Sequence, residues 1–262
     1  MKKLMTVRGF ILLTAALFLL AACGPGQTPH ASDATEAAPL PQAEATVQTE
    51  TATVVSRDLL LDPAKTEDPD SLLISRSIYE GLVTLDADGN IQPGIAQSWT
   101  VSDDELDYIF EIRPDAFFND GAPITVDEIE NNFNRWFDPQ HPLHGDGNYP
   151  SWLKLFLAFN GERDADDRSV SQIDGVQKVD INTFLIHLNR PDPQLLTYLA
   201  DPAFAILKSD SLSNPAYGTR ASTIIASGPY AVTSWTEEGL ILSPNPQYWN
   251  PVDGEEIRFI FK

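Results

Sequence analysis

The 262-residue chain holds a single cysteine, Cys23, within FLLAACGPGQTP at positions 18–29. A lone thiol can be a nucleophile or a small core hydrophobe, but this one follows an apolar run and precedes a Pro-, Gly- and Thr-containing stretch that suits neither role. Ser151 and Lys154 form S-x-x-K, a spacing at which a lysine can activate a serine hydroxyl; the companion S-D-N and K-T-G motifs are absent from the sequence. H-E-x-x-H, G-x-S-x-G and a phosphate-cradling glycine loop are absent too. His141 and His144 in QHPLHGDG could touch a metal, yet they sit on a Pro/Gly loop with no sulfur ligand beside them. Asp86 to Gly89 begins like a calcium loop as D-x-D-G. Such a loop needs glycine at its sixth position and glutamate at its twelfth, and here these are Ile91 and Gln97. The expectation is a protein with no catalytic residue, no metal and no cofactor: not an enzyme.

Cys23 is explained by what precedes it. Lys2, Lys3 and Arg8 lead into an apolar run over residues 10–20, followed by Ala21 and Ala22. This is the charged, apolar, small-residue order of a secretory signal, in a run too short to span a bilayer comfortably. Leu20-Ala21-Ala22-Cys23 resembles the bacterial lipobox, in which the cysteine is lipidated and becomes the first mature residue. Several acyl chains on one residue anchor stably where one does not. Residues 1–23 are therefore read as a lipoprotein signal peptide. Residues 24–52, rich in Ala, Thr, Pro, Gln and Glu, form a disordered tether, because they bury too little surface to offset their ordering entropy. The expected location is outside the cell membrane, lipid-anchored and facing the periplasm or cell exterior. A net charge of −21 repels nucleic acid, which is set aside as a partner. With one cysteine the chain has no internal disulfide, and an apolar core must hold the fold.

The remaining residues must position any site. Val54 and Val55 read as a strand. In LDPAKTEDPDSLLISRSIYEGL, Asp68 caps a helix with Pro69 in its first turn; Ile74, Ile78 and Leu82 recur on one face, and Gly81 suits the end. Asp88-Gly89 turns a hairpin. Tyr108, Phe110 and Ile112 alternate with polar residues as in a half-buried strand. Thr125 and Glu128 form a capping box for a helix burying Ile129, Phe133 and Trp136. Two strands flank Asn182, a helix follows Asp192 and Pro193, and AFAILK with the 228–251 segment supplies three more strands. EEIRFIFK alternates Ile257, Phe259 and Phe261 as a further strand. The class is α+β, with hairpins and interleaved helices.

Together the segments LDP at 61–63, YEGLVTLDADGNIQPGIAQSW at 79–99, NDGAPITVDEI at 119–129, SGPYAV at 227–232 and NPQYWN at 245–250 resemble the extracytoplasmic solute-binding proteins of family 5. These are the oligopeptide, dipeptide and nickel binders of ABC transporters. Ala226-Ser227 departs from the Gly-Thr or Gly-Ser common before Gly-Pro-Tyr. The resemblance implies a periplasmic-binding-protein type II-like clamp. Residues 53–262 correspond to its N-terminal part: 53–79 and 206–262 form a core sheet region and 80–205 an inserted subdomain. The second lobe is missing, as in a truncated or partial chain.

The implied function is capture of an oligopeptide or dipeptide for an ABC importer, with its permease subunits as partners and the lipid anchor holding the protein at the membrane. A non-transport receptor or scaffold module, or a binder of nickel chelate or another small solute, is the alternative. Bound peptides in this family lie extended on strand-like segments. By position, Glu67, Asp68 and Pro69 correspond to such an edge, and Tyr149 and Asp201 to ligand-facing places. Residue by residue, Tyr149 could equally cover the core and Asp201 could cap a turn; Pro69 lacks an N–H, so the contact pattern is altered. With one wall of a clamp, peptide binding no tighter than roughly millimolar is expected, a scale of about −4 kcal/mol. So is an exposed apolar face where Ile257, Phe259 and Phe261 lack partners.

Overall fold

In the computed structural model, which describes residues 52–262, the alternating run at Tyr108, Phe110 and Ile112 becomes the strand β5 (Asp107–Ile112), its three large side chains buried. It pairs antiparallel with β4 (Ala96–Val101) on one side and β7 (Thr183–Leu188) on the other. With β6 (Ile173–Lys178) the sheet runs β4-β5-β7-β6. A second sheet runs β1-β10-β9-β8, from β1 (Thr53–Val55), β8 (Tyr230–Trp235), β9 (Gly239–Pro244) and β10 (Ile257–Phe261). Its β1–β10 pair is parallel and the others are antiparallel. The hairpin of β2 (Val83–Leu85) and β3 (Ile91–Pro93) forms where the Asp-Gly turn predicts it. Asp86 binds the turn by accepting from the backbone N–H groups of Asp88 and Asn90, so its carboxylate serves the chain itself.

Helix starts follow their caps. The Asp68 carboxylate accepts from the Ser71 N–H at 2.7 Å, and Pro69 opens α1 (Pro69–Ile78). The helix stops three residues before Gly81, with Tyr79 extended at its C-cap. Leu82, expected on the helix face, instead packs in the other core. Thr125 caps α2 (Val126–Phe137) by accepting from Glu128 N–H at 3.3 Å, but only half of the expected capping box forms. The Glu128 carboxylate accepts from Ser209 N–H and Oγ, at 2.8 and 2.5 Å, tying α2 to α5 (Ser209–Leu212). The remaining helices are α3 (Pro150–Phe156) and α4 (Leu195–Leu199), with short 3-10 turns at Pro63–Lys65 and Pro202–Phe204.

AFAILK is not a strand. After the turn at Pro202–Phe204 it runs as a buried connection. Ile206 N–H donates to the Glu80 carbonyl at 2.9 Å, and the Asn132 side-chain amide both donates to the Leu207 carbonyl and accepts from its N–H. These bonds satisfy the backbone without a ladder. β10 also departs from expectation. It is an interior strand, and pairing with β1 and β9 turns Phe259 and Phe261 into a core with Val55, Ile74, Leu240 and Leu242. Ile260 instead faces outward, half exposed, on the side of Val54.

Two buried cores result. One gathers residues 55–79 and 205–261 around the β1-β10-β9-β8 sheet and α1. The other centres on Phe110, Phe133, Trp136, Trp152, Phe156 and Phe184, between the β4-β5-β7-β6 sheet, α2 and α3. The chain passes between them at 79–81 and again at 205–206, the two crossings joined by the Ile206–Glu80 bond. Gly228 lies against this junction: a Cβ there would sit 2.8 Å from the Tyr79 nitrogen, and its N–H donates to Ile78. Among the described residues no helix is long and apolar enough to cross a membrane.

Candidate functional site

Between the turn at Pro63–Lys65 and α1 the chain is extended, with Thr66 at φ −137°, ψ 151° and Asp68 at φ −65°, ψ 122°. The Thr66 hydroxyl accepts from Asp68 N–H at 3.0 Å, and the Asp68 carbonyl accepts from Leu72 N–H. Pro69 has no N–H. Glu67 differs: its side chain is exposed and, among the described residues, its backbone N–H and C=O have no partner. A residue between two extended neighbours whose own backbone groups are unpartnered is what an incoming strand-like chain requires. The sequence reading placed this edge on Glu67, Asp68 and Pro69 and also made Asp68 and Pro69 a helix start; the fold shows that start, with Asp68 capping α1 and Pro69 opening it.

Beneath the edge lies a buried ion pair. Arg135 of α2 places Nη2 at 2.5 and 2.7 Å from the two carboxylate oxygens of Asp62, both side chains almost fully buried. Arg135 Nε donates to the Tyr149 hydroxyl at 3.2 Å, which in turn donates to the His144 carbonyl at 2.8 Å; His144 Nδ1 meets the Arg135 carbonyl at 2.8 Å. Burial works against the Arg135 charge, but Asp62 and Tyr149 outweigh it and hold its pKa above the ordinary value. Tyr149 is raised by burial, partly opposed by Arg135. Lys65, partly exposed, lies 5.8 Å above the Tyr149 ring and pairs with Asp146 at 2.8 Å. Tyr149 is thus completely buried and faces Arg135 and Lys65. A peptide seated here would meet Lys65 before the tyrosine.

Asp201 caps the turn at Pro202–Phe204, accepting from Ala203 N–H at 2.9 Å. That turn packs on the one at Pro63–Lys65, and so does α3, so the elements carrying Glu67, Tyr149 and Asp201 converge there. Asp201 also lines a groove of about 290 Å³ with Arg76, Glu80, Thr84 and Tyr248. His144 is buried against Tyr149 and Phe159 and belongs to this packing. Among the described residues no group of three His, Cys, Asp or Glu side chains could hold a metal. Cys23 lies outside the described residues.

A second polar cluster escaped the sequence reading. Glu80 is buried, and its carboxylate accepts from the Tyr248 hydroxyl at 2.5 Å and from Trp249 Nε1 at 2.6 Å. The Arg113 guanidinium lies 3.4 Å over the Trp249 ring. Both YEGL and NPQYWN were legible as motifs, but nothing in their spacing announced that residues 168 apart would meet.

A family model for bacterial extracellular solute-binding proteins, family 5 Middle, matches residues 90–261. The chain belongs to this family. As a family-5 solute-binding chain it is 28% identical over 200 residues to the periplasmic oligopeptide-binding protein OppA of Salmonella typhimurium, covering 72% of this chain and 34% of OppA. It is 28% identical over 181 residues to the dipeptide-binding protein DppE of Bacillus subtilis, covering 66% and 31%. In structure it resembles HbpA2 from Haemophilus parasuis, with a TM-score of 0.69 and 26% identity over 80% of this chain and 42% of that one. The chain therefore spans about a third of the length of these curated relatives. The mixed α/β class read from the sequence is the class observed.

Proposed function

We propose that residues 52–262 supply one wall of an extracytoplasmic peptide site, which captures oligopeptides or dipeptides for an ABC importer and engages its permease subunits. The observation that carries this reading is the stretch between extended Thr66 and Asp68, in which the Glu67 N–H and C=O have no partner among the described residues. Such an edge binds any peptide backbone and leaves side-chain preference to surrounding pockets. The relatives' names, an oligopeptide-binding and a dipeptide-binding protein, agree with that chemistry. Lys65, two residues before Glu67 and held over the buried Tyr149 ring, and Asp201 on the adjoining turn bear on which side chains it accepts.

Each backbone bond open to water is worth about 1 kcal/mol or less. The 262-residue chain is therefore expected to bind a mixed peptide pool at roughly millimolar, a scale of about −4 kcal/mol. Amide NMR under saturating peptide should shift Thr66 and Glu67, and Glu67→Pro, which deletes the free N–H, should weaken binding by about fivefold. Shifts confined to other surfaces, with 66–67 silent, would refute the edge.

The same proposal places the protein at a membrane. Residues 1–23 act as a lipoprotein signal, Cys23 carries the lipid, and 24–52 tether a binding domain organised as 53–79 and 206–262 around an inserted 80–205. Cys23→Ser removes the only cysteine and should move the protein from the membrane pellet to the soluble fraction after a high-salt wash. Continued sedimentation of the serine variant would end the lipoprotein reading.

A further inference from the structure

We propose that Lys65 selects peptides by charge: a ligand lying on the Glu67 backbone is held more tightly when a carboxylate, from an acidic side chain or from its C-terminus, falls over the Lys65 ammonium. This preference rests on Glu67 being the peptide edge and adds the chemistry of the ligand. Lys65 closes the Pro63–Lys65 turn, its N–H donating to the Asp62 carbonyl at 3.0 Å. Thr66 is extended, so Lys65 and Glu67 stand about 7 Å apart, as alternate residues of a strand do. In a strand-like pairing, the ligand residue two places from the one opposite Glu67 comes over Lys65.

The fold holds this ammonium in place. The loop after His144 passes through Gly145 and Gly147, at φ 64° and 66°, and delivers Asp146 Oδ1 to 2.8 Å from Lys65 Nζ. A Cβ on Gly145 would sit 3.5 Å from Nζ, so the loop lies directly against the lysine. The Tyr149 ring beneath is buried, and its hydroxyl is spent on the His144 carbonyl and on Arg135 Nε. Arg135 is buried in turn and taken by Asp62. Of these two cations only Lys65 reaches solvent.

The contact with Asp146 leaves room for a ligand. Side-chain exposure is 27% for Lys65 and 71% for Asp146, and so open a pair contributes little. An ammonium has three donors and Asp146 takes one of them, so a second carboxylate can join it or replace it. The Tyr149 ring keeps water from one side of the ammonium, which strengthens a contact made there. The other charges close to the edge repel a carboxylate: Glu67, Asp68, Asp146 and Asp201 are acidic, and the whole chain carries −21. A preference for an anionic residue therefore runs against the overall field and reports a local cation.

Amide NMR titration of the full chain with end-capped Ala-Ala-X-Ala-Ala peptides, X being Gln, Glu or Lys, tests the selection; pentaalanine as free acid and as amide separates a terminal carboxylate from a side-chain one. The ratio of Glu to Gln affinity, or of acid to amide, should be about threefold higher in wild type than in Lys65→Met. Added salt should shrink that difference. Asp146→Asn, which frees the ammonium, should raise the ratio above wild type, and Lys65→Glu should favour the lysine peptide more than Lys65→Met does. Both ratios unchanged by Lys65→Met, with 66–67 still shifting on binding, would overturn the selection and leave the edge standing. Silence at 66–67 with every peptide would end both. Should Lys65→Met fail to fold, the Asp146→Asn ratio decides: a value at or below wild type sinks the proposal.

Discussion

Asp62→Ala is expected to lower the unfolding free energy by about 3–5 kcal/mol, which is a large share of the roughly 5–15 kcal/mol typical of a folded protein. The substitution leaves the Arg135 guanidinium, almost fully buried, without the carboxylate whose two oxygens it contacts. Among the described residues no other acidic group pairs with it: Nε is held by the Tyr149 hydroxyl, and Nη1 has no partner. A lone charge in that setting must draw in water or tear itself out, and either route disturbs the seat of α3 and the turn at Pro63–Lys65. Urea unfolding followed by circular dichroism measures the loss as a fall in midpoint. Replacing both partners, as Asp62→Leu with Arg135→Met, should recover most of it, since a matched apolar pair carries no desolvation cost. A single mutant as stable as wild type would mean that the pair is open to solvent.

Trp136→Ala should cost a similar amount, about 3–5 kcal/mol, by a different route. Trp136 is fully buried at the centre of the larger core, with ring centroids 5.0 Å from Phe133, 5.5 Å from Phe204 and 6.4 Å from Trp152. Its indole N–H has no hydrogen-bond partner among the described residues, so the loss is one of packing and transfer rather than of a polar contact. Rigid neighbours on α2, α3 and the Pro202–Phe204 turn cannot collapse into the space together, which leaves a cavity. Trp136→Phe, which keeps much of the volume, should recover more than half of the loss in the same unfolding assay. If alanine and phenylalanine cost the same, the cavity argument fails.

How the sequence and the tertiary structure divide the work can be seen at particular residues. Local chemistry was sufficient for α1 and α2, because a cap needs only a side chain three residues from its N–H: Asp68 to Ser71, Thr125 to Glu128. Alternation was sufficient for β5 and β10, because a period of two follows from the strand backbone itself. The sheet partners were not legible. EEIRFIFK reads identically as a bare edge or an interior strand, and only pairing with β1, some 200 residues earlier, turned Phe259 and Phe261 inward. AFAILK failed for a related reason. Its apolar run needed backbone partners of some kind, and the Glu80 carbonyl and the Asn132 amide supplied them in place of a neighbouring strand. At the candidate site the sequence marked the stretch after LDP. It also marked Asp68 and Pro69 as a helix start, which the fold keeps, but it could not say that Glu67 would be left with its backbone groups unpartnered among the described residues. The polar clusters were the least legible. Asp62 with Arg135 are 73 residues apart, and Glu80 with Tyr248 and Trp249 are 168 and 169 apart. A buried charge exists only where distant segments close around it and exclude water, and no local pattern encodes that exclusion.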